Sequence, residues 1–219
     1  MTAMHTLLLV PTQFERRAIE TVVAPALGRD DRLELCGFGP VAAAARTAEL
    51  LALHRPERVV LAGIAGSLDD GLAPGVACSF TRVACFGVGV GARDDFLPAG
   101  VLGWPQWQGD PHDGSPPIGD VIECAAGAPG PGDRLLLTAC AASARQDDVR
   151  ARLRCFPDAV AEDMEGFAVA FACRLRGVPV AIVRGISNRA GDRDQSRWHS
   201  AAALQAAGEL ARHVIAEAP

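Results

Sequence analysis

"DAVAEDMEGFAVAFACRLRGVPVAIVRGISN", Asp158–Asn188, is the stretch whose reading decides the fold. Its first residues read as a strand, and the chain then enters a helix. There Met164, Phe167, Ala168, Phe171, Ala172 and Leu175 fall at i, i+3, i+4, i+7 spacing, one apolar stripe on a 3.6-residue period. Gly177 stands where this helix should stop, because glycine closes a C-terminus in the left-handed conformation at little cost. "VPVAIV", Val178–Val183, is then a continuous apolar run, as expected of a strand covered on both faces. The polar "RGISN" after it reads as a post-strand turn, with Gly185 and Ser187 letting the backbone bend.

The rest of the chain repeats the alternation. Thr6–Val10 is predicted as a first strand, turned by Pro11 and Thr12 into a helix beginning near Phe14. Arg32–Cys36 is another strand, turned by "GFGP" into the helix "VAAAARTAELLALH". Arg58–Ala62 is a short apolar strand, followed by a glycine-rich turn, "GIAGSLDDGLAPG". Val76–Ala84 and Arg134–Cys140 are further strands, and an alanine-rich helix runs from His199 to Glu217. Between Arg93 and Asp133, proline, glycine and aspartate dominate, so surface loops are expected, with one strand near Val121–Cys124. The expectation is one α/β domain over residues 1–219: three layers, α/β/α, around a central mixed, largely parallel sheet. In such sheets ligands sit at the C-terminal ends of strands. Four turns are therefore candidates: the one before Glu15, then "GIAGS", "EDMEG" and "RGISN".

Composition narrows the chemistry. The hydrophobic share is 49% and the formal net charge −5. A negative chain with no basic cluster argues against nucleic acid or an anionic membrane as partner. The apolar run Leu7–Val10 is too short for a signal peptide, so a cytoplasmic protein is expected. Seven cysteines with no CxxC pair read as reduced, buried thiols. Five histidines without HxxxH or HExxH spacing give no metal site, and no cofactor is expected. There is no Walker A pattern and no GxSxG elbow. "GVGVG", Gly87–Gly91, is too weak for a dinucleotide fingerprint.

Three segments in order resemble the purine nucleoside phosphorylase/nucleosidase superfamily. They are "LLLVPTQFE", the Asp163-Met164-Glu165-Gly166 element, and Arg184-Gly185-Ile186-Ser187-Asn188. "GIAGSL", containing Gly66, resembles the family's glycine-rich turn under the sugar. The resemblance implies cleavage of the bond between ribose and a purine base. Glu15 would orient a water and take its proton as it attacks C1′. Glu165 would accept from the ribose hydroxyls with its two oxygens. Met164 would pack on the sugar, although its helical spacing fits a core residue equally well. The bland alternative for Glu15 is a solvated carboxylate at a helix N-terminus.

Position 188 departs from the adenine-releasing members, which carry aspartate there. Asn188 can donate to a 6-oxo group and accept from a protonated N7, which suits hypoxanthine or guanine. Its alternative is an ordinary turn residue. A phosphorylase must clamp a dianion, usually with arginine, whereas the first turn offers Glu15 and "GIAGSLDD" two aspartates. Water is therefore the favoured acceptor. "RGISNRAGDRD" followed by Trp198 looks like the branch that hydrolyses futalosine, a hypoxanthine nucleoside of menaquinone biosynthesis. Arg193, or else Arg189 or Arg197, is the candidate for futalosine's distal carboxylate. Asp192 and Asp194 could instead pair with these arginines. Phe96, Trp104 and Trp107 are candidates for stacking on the ligand or for packing under a loop. The resemblance also implies a homo-oligomer. The alternatives are an adenine-releasing nucleosidase for methylthioadenosine, S-adenosylhomocysteine or aminodeoxyfutalosine, a 6-oxopurine phosphorylase, and a non-catalytic nucleoside-binding protein.

Overall fold

The computed structural model describes residues 5–92, 95–112, 114–125 and 133–217. Residues 1–4, Arg93 and Asp94, Asp113, residues 126–132 and 218–219 lie outside the described residues.

The first half runs β1 (Thr6–Val10), α1 (Gln13–Val23), β2 (Arg32–Leu35), α2 (Pro40–His54), β3 (Arg58–Ser67), β4 (Ala77–Phe80) and β5 (Arg82–Phe86). The small strands β6 (Gly89–Val90) and β7 (Leu97–Pro98) follow, then β8 (Val121–Glu123) and β9 (Leu135–Ala139). The C-terminal part is α3 (Gln146–Cys155), β10 (Ala159–Asp163), α4 (Gly166–Leu175), β11 (Val180–Arg189) and α5 (Ser200–Ala216). The main sheet is mixed and largely parallel: β1 pairs in parallel with β2 and β3, β3 with β11, and β9 with β5 and β10. β4, β8 and the end of β10 join antiparallel.

Strand side chains alternate between faces, and β1 shows what that achieves. Leu7 and Leu9 join the apolar cluster with Leu50 of α2 and Val169 of α4. Leu8 and Val10 join the opposite cluster, with Ile19 of α1 and Leu204 of α5. Each fully buried leucine contributes roughly 1.5–3 kcal/mol. The expected α/β/α layering is therefore present. No described helix is long and apolar enough to cross a membrane.

Several local expectations are corrected. "GIAGS" is not a turn, because β3 continues through Ser67. "RGISN" is not a turn either: β11 continues to Arg189, paired with β3 nearly throughout and irregular only between Ile186 and Asn188. Gly185 is there because α5 crosses that strand so closely that a Cβ would lie 1.9 Å from the Ala203 carbonyl oxygen. Val76–Ala84 is two strands meeting at Thr81, with β4 on β11 and β5 on β9. Helix α3 was not foreseen. Helix α4 begins only at Gly166, so Met164 precedes the apolar stripe, and Leu175 at its end is 45% exposed. The loop-rich stretch also carries β7, besides the expected strand β8.

Candidate active site

The long strand β3 organises the site. Along its first residues it is flanked by β1 and β11, and at Gly66 and Ser67 by β10 and β11. The C-terminal ends of β1, β3 and β11, with the turn after β10, thus surround one cavity of about 420 Å³. It is lined by Glu15, Gly66, Met164, Glu165, Ser187 and Asn188 among others, so six of the seven residues singled out from the sequence are brought together. An adjoining recess of about 210 Å³ shares Gly66, Met164 and Asn188 and adds Arg193, the seventh.

Glu15 is positioned by the start of α1. Thr12 caps the helix: its hydroxyl and backbone N–H both donate to Glu15 Oε2, at 2.7 and 3.0 Å, and the Glu15 N–H donates back at 3.3 Å. This reciprocal capping box fixes the carboxylate. The other oxygen, Oε1, accepts from the Ile64 N–H at 3.1 Å. At 5% exposure Glu15 is not a solvated helix-end carboxylate.

Glu165 stands just before α4. Its Oε1 accepts from the Gly39 N–H at 2.9 Å, and Oε2 lies 3.4 Å from Arg184 Nη2. Burial pushes its carboxyl up from 4.5 to about 7, against the opposing pull of Arg184; Asp163 adds to the rise, the Gly39 N–H opposes it, and Glu15 adds further.

Arg184, on β11, is fully buried. Its Nε and Nη2 donate to Asp163 Oδ2 at 3.0 and 2.5 Å. Asp163 also accepts from Thr138 Oγ1 at 2.6 Å and the Gly166 N–H at 2.9 Å, which ties β9 and the start of α4 to the same carboxylate. Arg184 Nη1 has no partner among the described residues. A Cβ on Gly63 would lie 2.3 Å from that nitrogen and 2.7 Å from Glu15 Oε1. The guanidinium edge and the catalytic candidate therefore converge over a bare patch of β3. A donor-rich nitrogen, a carboxylate acceptor and a second carboxylate make a set that can hold one polar atom, such as a water oxygen.

Asn188 is oriented by its neighbours. Its Nδ2 donates to the Arg189 carbonyl at 2.8 Å, and Ser187 Oγ donates to its Oδ1 at 2.7 Å. A carbonyl only accepts, so the amide cannot be turned round. One N–H and one lone pair remain for a ligand.

The charged tail resolves differently for each arginine. Arg197 pairs with Asp192 at 2.8 Å and Asp194 at 3.3 Å, and Arg189 with Asp70 at 2.6 Å. Arg193 is exposed and lies at the Asn188 end of the cavity. Phe96 packs under the loop, its ring 4.9 Å from Phe86, and Trp104 and Trp107 do not line the cavity. Trp198 does, as do Phe14 and Phe38, which are 62% and 66% exposed. Cys36, near Arg184 and Glu165, is no nucleophile, since burial pushes its thiol up to about 12. Sequence reasoning gave Arg184, Asp163 and Glu162 no role. A cation inside the apolar run "AIVRGI" was the available signal, because a buried arginine demands partners.

Fold and cleft together define an α/β protein with a carboxylate-lined, strand-end ligand site. The chain belongs to the phosphorylase superfamily, whose family model matches residues 8–217. It is 35% identical to the futalosine hydrolase of Streptomyces coelicolor over 178 residues, 78% of this chain and 72% of that one. It is 29% identical to the 5'-methylthioadenosine/S-adenosylhomocysteine nucleosidase of Shewanella oneidensis over 183 residues, 80% of this chain and 73% of that one. In fold it is similar to the Helicobacter pylori enzyme of that second name, with a TM-score of 0.77 and 18% identity over the whole of both chains.

Proposed function

We propose that this protein is a purine nucleosidase that hydrolyses the N-glycosidic bond of futalosine, releasing hypoxanthine and dehypoxanthine futalosine. The observation that carries the reading is the pairing of two ends of one cavity. Glu15 and Glu165 line one end, with the buried Arg184 Nη1 behind them at Gly63, and the oriented amide of Asn188 stands at the other.

A water held by Glu15 and Arg184 attacks C1′. Its proton passes to Glu15, and the electron pair of the broken bond leaves with the base. The carboxylates of Glu15 and Glu165 favour the positive charge that develops on the sugar. Glu165 accepts from the ribose hydroxyls and Met164 packs on the ring. Asn188 Nδ2 donates to O6 and Oδ1 accepts from N7–H. An amide cannot supply the proton that N7 gains, so solvent does. Around the acceptor position Glu15, Asp163 and Glu165 face a single arginine. That balance disfavours a phosphate dianion and favours water.

Arg193 stands beside the base in this reading, and the group beyond the ribose meets Phe14 and Phe38. These exposed rings favour a second reading, an adenine-releasing nucleosidase whose substrate ends in an apolar thioether; Asn188 disfavours it. They also support a homo-oligomer in which a second copy covers the mouth. The test is to supply futalosine, inosine and methylthioadenosine, with and without phosphate, and identify the base released. Hypoxanthine from futalosine without phosphate is expected. Preferred adenine release, or strict phosphate dependence, would overturn the reading.

A further inference from the structure

We infer that Arg193 is a further catalytic residue: its guanidinium offsets the negative charge that builds on the departing purine as the glycosidic bond breaks. This rests on the reading of Asn188 above, which leaves the base without a proton donor in the protein.

The argument starts from where the charges are paired. The recess beside Asn188 is lined by the carboxylates of Glu162, Asp163 and Asp192, and by Arg193. Each carboxylate has a guanidinium: Arg152 donates to Glu162, Arg184 lies 2.5 Å from Asp163, and Arg197 lies 2.8 Å from Asp192. The Arg193 side chain pairs with no carboxylate among the described residues. The recess therefore carries positive charge in excess. At the sugar end the sign is reversed. Glu15 takes its hydrogen bonds from Thr12 and Ile64, neither of them charged, and Glu165 shares with Asp163 the single guanidinium of Arg184. The cavity is thus polarised along its length, with carboxylates at the sugar and a guanidinium beside the base. Charge separates in that same direction when the C1′–N9 bond breaks, and fixed charges aimed at developing ones lower the barrier.

The loop that carries Arg193 is anchored on both sides. Gln146 Nε2 donates to the Ala190 carbonyl at 3.3 Å, and Trp198 Nε1 to the Asp192 carbonyl at 3.1 Å. The Asp194 carboxylate accepts from the Ser196 N–H at 3.1 Å and the Ser196 hydroxyl at 2.6 Å. Arg197 bridges Asp192 and Asp194. Both aspartates next to Arg193 are therefore engaged by other donors, and neither has captured it.

The step balances without a cofactor. The water oxygen bonds to C1′ as C1′–N9 breaks, Glu15 takes the water's proton, and the electron pair passes into the purine. Its charge spreads over N9, N7 and O6 until solvent supplies a proton. Asn188 faces N7 and O6 but is neutral. A guanidinium cannot lose its proton in a protein, so Arg193 carries the offsetting charge throughout.

The test is Arg193→Gln, which stays polar and removes the charge; an exposed side chain without a partner can be replaced at little cost to the fold. Hydrolysis of futalosine, inosine and 4-nitrophenyl β-ribofuranoside is measured in wild type and variant. Nitrophenolate leaves as a stable anion and needs no help. kcat is expected to fall at least about tenfold on futalosine and inosine, and less than about threefold on the nitrophenyl riboside. A loss on futalosine alone would assign Arg193 to the distal carboxylate. Equal losses on all three would assign it to bracing, and no loss would remove it from the reaction. Each of these overturns the inference. A wild type that prefers to release adenine would overturn the reading of Asn188, and this one with it. Where the wild type does not cleave all three substrates, hypoxanthine is tested as an inhibitor of both forms from pH 7 to pH 10, across the ionisation of the base itself. Inhibition of the wild type that tightens relative to the variant as pH rises supports the inference, and parallel curves overturn it.

Discussion

Replacing Glu165 with glutamine should make the protein more stable above neutral pH while removing most of its activity. The magnitude follows from the carboxyl's displacement from 4.5 to about 7, caused first by burial. Each unit is worth about 1.4 kcal/mol, so holding Glu165 ionised costs the fold about 3 kcal/mol. The sign follows from proton linkage. Between 4.5 and 7 the folded protein binds this proton and the unfolded chain does not. Stability is therefore complete below the unfolded value and is lost as pH rises through the folded one. Glutamine has no proton to lose, and its amide oxygen can still accept from Gly39. The stability difference, variant minus wild type, should grow by about 2 kcal/mol from pH 5 to pH 8. Urea unfolding at pH 5, 6, 7 and 8 reads this directly, as a midpoint difference widening by about 1 M. Because glutamine cannot accept from both ribose hydroxyls with two oxygens, kcat should fall roughly 10²-fold. A difference that stays flat across that range would refute the assignment of Glu165 as a strained, functionally retained carboxylate.

Glu15→Gln should lower turnover by 10²–10⁴-fold, the usual size of a general-base effect, while nucleoside binding measured calorimetrically survives; a loss under about tenfold would remove Glu15 from that role. Asn188→Asp should shift base preference away from 6-oxopurines in competition assays, because the Arg189 carbonyl accepts from Nδ2 and would face a carboxylate oxygen instead. An unchanged preference would leave Asn188 with a structural role only, its amide tied to Ser187 and Arg189. Gly185→Ala should cost at least about 3 kcal/mol of stability in thermal unfolding, since the added Cβ would overlap the Ala203 carbonyl and push α5 off β11. A loss within about 1 kcal/mol would contradict the close packing of that pair.

The fold was legible where apolar periodicity and punctuation agreed. β1 and the core of β11 are continuous apolar runs, and α2 and α5 are alanine-rich, so their types and approximate ends could be read directly. Helix α3 was not, because "QDDVRARLRC" buries little beyond Val149, Ala151 and Arg152 and has no strong apolar stripe. The ends of β3 and β11 were misread for a different reason. Glycine, serine and asparagine usually punctuate loops, but here they extend two strands past the apolar core. Gly63 and Gly66 stay bare because side chains there would enter the site, and Gly185 because α5 lies against it. The residues that misled the secondary-structure reading are thus the ones that shape the cavity. The ligand-facing residues could be found from motifs, whereas their supports depend on long-range pairing that sequence spacing does not reveal.

Arg184 shows why that support matters to function. Among the described residues it is the largest fully buried side chain, following the apolar run Val180–Val183 on its strand. A buried ion pair is often no more stabilising than apolar side chains of the same volume, so stability alone gives little reason to keep one. Here the guanidinium is held by Asp163 on one edge and Glu165 on another, and the nitrogen left without a partner points to the place where Glu15 waits. An unpaired buried donor is a standing cost of roughly 1–3 kcal/mol, and one that a bound water or substrate oxygen removes. The raised carboxyl of Glu165, beside Nη2 of the same guanidinium, is a second cost. An unpaired nitrogen and the Glu15 carboxylate that meet over one bare glycine, on a guanidinium that also holds a strained Glu165, are the physical signature of a site built to bind rather than to brace.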